Sequence, residues 1–159
     1  MTKPIGADVV NAFLVPALEL LRTHLRESRI GPLTVTDELP PTAQVSVDMI
    51  VHGNLEGPVR WSFDDRIARV LANAVGLGSA SVDPGSPECL DALGEIANTI
   101  AGNATGPLLE AGYRVELVPP TPTAVSGVLP AVESDKVLHV TLLTPAGDMK
   151  MSFGLRVSR

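Results

Sequence analysis

The stretch DALGEIANTIAGN, residues 91–103, decides the fold, because it predicts a helix with one apolar side and one unusually bare polar side. At about 100° per residue, the apolar positions in and around this stretch fall on one side of the helix. They are Leu90, Leu93, Ile96, Ala97, Ile100, Ala104 and Leu108. The other side carries Asp91, Glu95, Asn98, Gly102 and Gly106. The pattern therefore predicts an amphipathic helix over about residues 87–106.

Three glycines leave the polar side of this predicted helix with few bulky side chains. Glycine costs about 1 kcal/mol relative to alanine in a helix interior. Placing Gly94, Gly102 and Gly106 on this side, where long polar residues would favour the helix, indicates that another molecule must come close. The functional side chains that remain, Glu95 and Asn98, are three residues apart and are therefore neighbours on the helix surface.

Length, charge and cysteine content limit the possible classes of protein. The 159 residues, 45% of them apolar, predict one domain over residues 1–159 with a sizeable core. A net charge of −6 without a Lys/Arg cluster argues against nucleic acid or an anionic membrane as partner. The N-terminus lacks a secretory pattern, and the apolar runs are too short to span a bilayer. The single cysteine, Cys89, excludes an intramolecular disulfide, so we expect a soluble cytoplasmic protein.

The remaining periodicities place helices and strand hairpins around this helix. Helical spacing covers residues 7–27, and a short helix capped by Asp64 or Asp65 follows the first hairpin. Alternation predicts strands at 44–51, 59–63, 113–118, 137–143 and 149–157. Hairpins rather than strict βαβ alternation predict an α+β domain, a β-sheet of hairpins packed with long helices.

Other candidate sites are weak. The histidines His24, His52 and His139 lie far apart in the sequence and are best interpreted as surface or satisfied residues. Cys89 begins the apolar side of the helix and is interpreted as a small buried hydrophobe. Asp91 and Glu95 lie one turn apart but lack a third ligand, so no metal site is predicted. Val125-Ser126-Gly127 is not a nucleophile elbow.

Two interpretations of Glu95 and Asn98 stay open on spacing alone. The first is an ordinary solvated helix face. In the second, the Asn98 carboxamide holds a water by accepting and donating hydrogen bonds, a use known for in-line attack on phosphorus. Glu95 would then pair with a lysine of a partner, and it would orient docking more than strengthen it.

The chain also resembles the CheX branch of the CheC/CheX/FliY chemotaxis phosphatases, essentially over its whole length. The strongest match is Asp91-x-x-x-Glu95-x-x-Asn98 with Ala101-Gly102, then Pro119-Pro120-Thr121 and Val125-Ser126-Gly127. Val10-Asn11-Ala12-Phe13 resembles the first helix of the family, and residues 55–63 resemble its glycine-containing hairpin. The resemblance implies a CheC/CheX-like single domain with the Glu95/Asn98 helix exposed on one face.

The resemblance also implies an activity, the dephosphorylation of a CheY-like response-regulator receiver. The receiver would supply the phospho-aspartate, the bound Mg²⁺ and a lysine that pairs with Glu95, while Asn98 would orient the attacking water. The phosphatase would need no cofactor and no metal of its own. The partner-binding residues would be Asp91, Gly94, Gly102 and Gly106.

Several points differ among relatives or stay open. Some relatives carry two Glu-x-x-Asn helices, but the first helix here offers only Asp8-Val9-Val10-Asn11, so one site is expected. Relatives form homodimers by joining sheets, and the free edge here is expected at 137–143 or 149–157. The alternative function is a non-catalytic module of the same fold that binds a receiver or a flagellar switch component. A phosphatase for a receiver outside chemotaxis is a third possibility.

Overall fold

The computed structural model describes residues 3–36, 45–77, 83–124 and 136–158. Its helices are α1 (Ala7–His24), α2 (Asp65–Ala72) and α3 (Pro87–Glu110), and a π-helical turn (Asn73–Leu77) follows α2. Its strands are β1 (Lys3–Pro4), β2 (Arg29–Thr36), β3 (Val45–Gly53), β4 (Leu55–Phe63), β5 (Val115–Leu117), β6 (Thr121–Ala124), β7 (Val137–Thr144), β8 (Gly147–Phe153) and β9 (Arg156–Val157).

The strands form one antiparallel sheet, which confirms the α+β class. The main path runs β1-β9-β4-β8-β7-β2, and β3 pairs with β4, β5 and β6. The predicted hairpins are present as β3–β4 and β7–β8. The last predicted strand is divided, because β8 ends at Phe153 and β9 pairs separately with β1 and β4.

One face of the sheet is apolar and carries the helices. Trp61 at the centre of β4 lies opposite Val47 on one side and Met151 on the other, and all three are fully buried. Phe13 of α1 reaches the same core, with its ring centroid 5.6 Å from that of Phe153. No described helix combines the length and the apolar character needed to cross a membrane.

The other face carries a buried polar row. Arg60, 1% exposed, donates two hydrogen bonds to the Asp48 carboxylate at 2.7 and 2.9 Å. Ser152 lies opposite Arg60, and His139 lies opposite Ser152. The His139 ring nitrogens bond the hydroxyls of Thr36 and Ser152, both at 2.7 Å, and burial lowers the pKa of this histidine. His139 is therefore a satisfied structural residue, as predicted.

The helix ends differ in detail from the sequence predictions. Helix α1 ends at His24, three residues before the predicted end at 27. Residues 29–36 form strand β2, which was not predicted. The second half of β2 alternates as Leu33-Thr34-Val35-Thr36, but the run is short, and the Gly31-Pro32 pair directly before it is typical of a turn. Helix α3 continues beyond the predicted end at 106, through Pro107 to Glu110, and Gly112 follows its end with φ +95°.

The cap of the short helix is also only partly as predicted. Asp64 is the N-cap residue of α2 by backbone geometry, but its side chain makes no capping hydrogen bond. Its carboxylate instead accepts a hydrogen bond from the backbone N–H of Asp148 at 3.1 Å. Asp64 therefore joins the start of α2 to the β7–β8 turn.

The prediction of the free sheet edge is wrong. Strand β7 pairs with β8 and β2, and β8 pairs with β7 and β4, so both lie inside the sheet. Among the described strands, β2 forms an edge, since its only partner there is β7. Its apolar residues Ile30, Leu33 and Val35 are each more than half exposed.

Replacing Leu93 by alanine should lower the free energy of unfolding by about 2–5 kcal/mol, because its side chain is fully buried on the apolar side of α3. Leu109→Ala, on the same helix but 56% exposed, is the matched control and should change it by less than about 0.5 kcal/mol. Chemical denaturation measures both values. Equal effects of the two substitutions would contradict the assigned rotation of α3.

Candidate active site on helix α3

The start of α3 is defined by a cap. Ser86 is the N-cap residue, and its hydroxyl accepts a hydrogen bond from the backbone N–H of Cys89 at 3.2 Å. Pro87 occupies the first turn, where its missing N–H costs nothing. The Cys89 side chain is buried, and burial, followed by the nearby Asp83 carboxylate, raises the pKa of its thiol. Cys89 is therefore a packing residue, as predicted.

The predicted polar side of α3 is open to solvent. Asp91, Glu95, Asn98, Gly102 and Gly106 are all exposed, and they follow one another along the helix at spacings of three or four residues. The side chains of Glu95 and Asn98 form no hydrogen bond or ion pair with any described residue. A carboxylate and a carboxamide are thus both available to a partner on one helix face.

Few side chains project from the exposed face of α3, although there is space for larger residues. A Cβ atom added at Gly102 or Gly106 would meet nothing within 4 Å. The Thr99 and Thr105 hydroxyls turn back to donate to the carbonyl oxygens of Glu95 and Gly102, at 2.9 and 2.7 Å. The fold itself therefore does not require glycine at positions 102 and 106.

Gly94 does not belong to this open face, which corrects its predicted placement. It is buried, and a Cβ atom there would lie 3.7 Å from the ring of Pro122. Pro122 belongs to strand β6, which pairs with β3 and packs on α3. Sequence periodicity could not find this contact, because it depends on a strand next to the helix.

Some predicted features are not brought to the site or cannot be located. Helix α1 packs along α3, and its Asp8 is exposed, with one carboxylate oxygen accepting from the Val9 N–H at 2.9 Å. Gly6 is the N-cap residue of α1. Val125-Ser126-Gly127 lies outside the described residues. Within the described ranges, no three His, Cys, Asp or Glu residues are grouped as metal ligands would be.

Comparison with known proteins identifies relatives of this arrangement. The profile of the family described as chemotaxis phosphatase CheX matches residues 45–143, which include Glu95 and Asn98. No curated protein sequence matches the chain significantly.

Solved structures share the fold. A CheC-like superfamily protein from Shewanella sp. PV-4 has a TM-score of 0.82 and 19% identity over 98% of this chain and 100% of its own. CheX from Desulfovibrio desulfuricans has a TM-score of 0.78 and 20% identity, over 95% and 99%. The CheX–CheY–BeF3–Mg²⁺ complex from Borrelia burgdorferi has a TM-score of 0.72 and 22% identity, over 96% and 98%.

Replacing Gly102 by alanine should raise the free energy of unfolding by about 0.5–1 kcal/mol, because alanine favours the helix and its Cβ meets no neighbour. Gly112→Ala is the control and should lower it by about 1 kcal/mol or more, because φ +95° disfavours any side chain. Thermal and denaturant unfolding measure both. Destabilisation by Gly102→Ala would mean that the fold itself needs this glycine.

Proposed function

Since the chain belongs to the CheX family of chemotaxis phosphatases, we propose that it hydrolyses the aspartyl phosphate of a CheY-like receiver on the exposed face of α3. One observation carries the proposal. Glu95 and Asn98 are exposed neighbours without partners among the described residues, on a face that Gly102 and Gly106 leave bare. The complex of a fold relative with CheY, BeF3 and Mg²⁺ supports a receiver as the partner. The expected cytoplasmic location belongs to the same proposal.

In this proposal Asn98 acts on water. Its carboxamide oxygen accepts a hydrogen bond from a water molecule and directs the water oxygen at phosphorus. The new P–O bond forms as the bond between phosphorus and the receiver aspartate breaks, and the electron pair leaves with the aspartate carboxylate. The protons of the water pass to solvent and phosphate, so the products are inorganic phosphate and the unmodified receiver. The contribution of Asn98 is positioning, without a covalent intermediate on the phosphatase.

Glu95 holds the receiver in register. Its carboxylate pairs with the receiver lysine, which fixes the position of the phosphoryl group relative to Asn98. An exposed ion pair contributes only about 0–1 kcal/mol, and more when docking removes it from water. Mg²⁺, held by the receiver, would neutralise charge on the phosphoryl oxygens, and no cofactor of the phosphatase is invoked. Asp91 at one end of the face and Gly102 and Gly106 at the other complete the contact surface.

Asn98→Ala should slow receiver dephosphorylation by about 30- to 1,000-fold, equivalent to about 2–4 kcal/mol of barrier, while leaving the fold intact because the side chain is exposed. The measurement is the decay of a phosphorylated CheY-like receiver with Mg²⁺ at increasing phosphatase concentration. Glu95→Gln should weaken docking as well as turnover. Glu116→Gln, an exposed carboxylate on β5, is the charge-matched control.

Two outcomes would contradict the proposed phosphatase activity and the role of Asn98 in it. A large loss of melting temperature in Asn98→Ala would identify a structural asparagine. Unchanged receiver decay with the wild-type protein, with binding still measurable, would instead support the non-catalytic module that docks a receiver or a flagellar switch component.

We also propose a homodimer, formed by pairing of β2 with β2 of a second copy. The strand is an edge among the described strands, and it exposes Ile30, Leu33 and Val35 to water. An exposed apolar edge strand is a ready template for pairing with another chain, and symmetric pairing closes at two copies.

Leu33→Lys should convert the dimer to a folded monomer, because a charge at the centre of the pairing edge opposes its burial. Sedimentation or light scattering gives the mass, and circular dichroism confirms the fold. Leu109→Lys, at a similarly exposed leucine (56% against 58% for Leu33), should leave the dimer intact. A wild-type protein that is monomeric at high concentration would refute the pairing.

A further inference from the structure

A groove of about 570 Å³ runs between α1 and α3 beside the candidate site. Asn103 and Pro107 of α3 line one wall, and α1 supplies the other. Asn103 adjoins Gly102 and lies one turn from Gly106, so the groove opens directly onto the bare face. Asn98 and Asn103 are about 140° apart around α3, and the groove therefore borders this face on the side away from Asn98.

Two prolines interrupt the regular helical hydrogen bonds beside the groove. Pro16 and Pro107 both lie inside helices, and proline has no N–H to donate. The carbonyl oxygens of Ala12 and Asn103, four residues earlier, therefore lack their regular helical donors. Both prolines and both of these residues line the groove.

The side chains of the groove are negative or neutral. Asp8 and Glu19 are exposed and form no ion pair with any described residue. None of the described residues that line the groove is Lys, Arg or His. Asn11 adds a carboxamide, and Val15, 52% exposed, adds apolar surface. Acceptors at the rim beside an apolar wall suit a long cationic side chain, whose methylene stem packs while its charged head is hydrogen-bonded.

We propose that this groove receives basic side chains of the receiver that docks on α3, one near Asp8 and another near Glu19. These two carboxylates lie on one helix, about 16 Å apart along its axis. The partner rests on the proposed function, while the groove, its charge and its acceptors are properties of this chain. The negative lining favours cationic side chains, and direct continuity with the α3 face favours the same docked molecule over an unrelated one. The groove is a docking contact that adds affinity and orientation, and Asn98 remains the residue that acts on water.

The test uses Asp8→Asn, Glu19→Gln and the double variant in the full chain. Binding to the receiver activated with beryllofluoride and Mg²⁺ is measured by calorimetry at several salt concentrations. Each single variant should weaken binding by about 2- to 5-fold and the double variant by about 5- to 20-fold, with a reduced salt dependence. Turnover at saturating receiver should stay unchanged while KM rises. Glu116→Gln is the charge-matched control, and unfolding curves verify that each variant folds.

The outcomes separate this proposal from the proposed function. If the double variant binds as tightly as Glu116→Gln while the wild type hydrolyses the phospho-receiver, the groove proposal is overturned and the phosphatase stands. If the double variant binds more weakly but the wild type does not speed phosphate loss, the docking groove is supported and the phosphatase fails. A fall in turnover at saturation without a change in binding would also overturn the groove as a docking contact.

Discussion

The burial of the apolar side of α3 is the constraint on which the other features depend. Leu93, Ile96, Ile100 and Leu108 are essentially inaccessible to water and share one core with α1, α2 and the sheet. Removing these side chains from water stabilises the helix far more than the propensity of its exposed residues does. The packing of these apolar side chains in the core therefore fixes the rotation of α3 about its axis. Because that packing stabilises the helix, its exposed side can carry glycines that would destabilise an isolated helix.

The exposed side of α3 combines glycines that lower helix stability with polar side chains that remain accessible to other molecules. Gly102 and Gly106 have no packing neighbour that would exclude a side chain, so their cost to the helix has no compensation within the described fold. The same absence of bulk leaves Glu95 and Asn98 as the prominent functional groups on the face. In the proposed mechanism, a helix anchored by its buried side suits the positioning of a water, since positioning requires little motion of the group that does it.

Two borders, both set by packing, confine this surface. On one side β6 brings the Pro122 ring against Gly94, which explains why a proline-rich segment accompanies the Glu95/Asn98 helix. On the other side α1 leaves a groove in which Pro16 and Pro107 interrupt the two helical hydrogen-bond ladders. The exposed face of α3 is thus bordered by an apolar strand on one side and by an open groove with negative or neutral side chains on the other.

The sequence by itself determined α3, its buried side and the exposure of Glu95, Asn98 and Asp91, because helical periodicity is local and both sides of the helix are strongly patterned. Strands β3, β4, β7 and β8 were predictable for the same reason, since alternation marks a half-buried strand. Only the tertiary structure decided the burial of Gly94, the edge position of β2 and the interior position of β7 and β8. Each of these depends on which strand or helix lies alongside, and contacts between residues far apart in the chain leave no period in the sequence to show them.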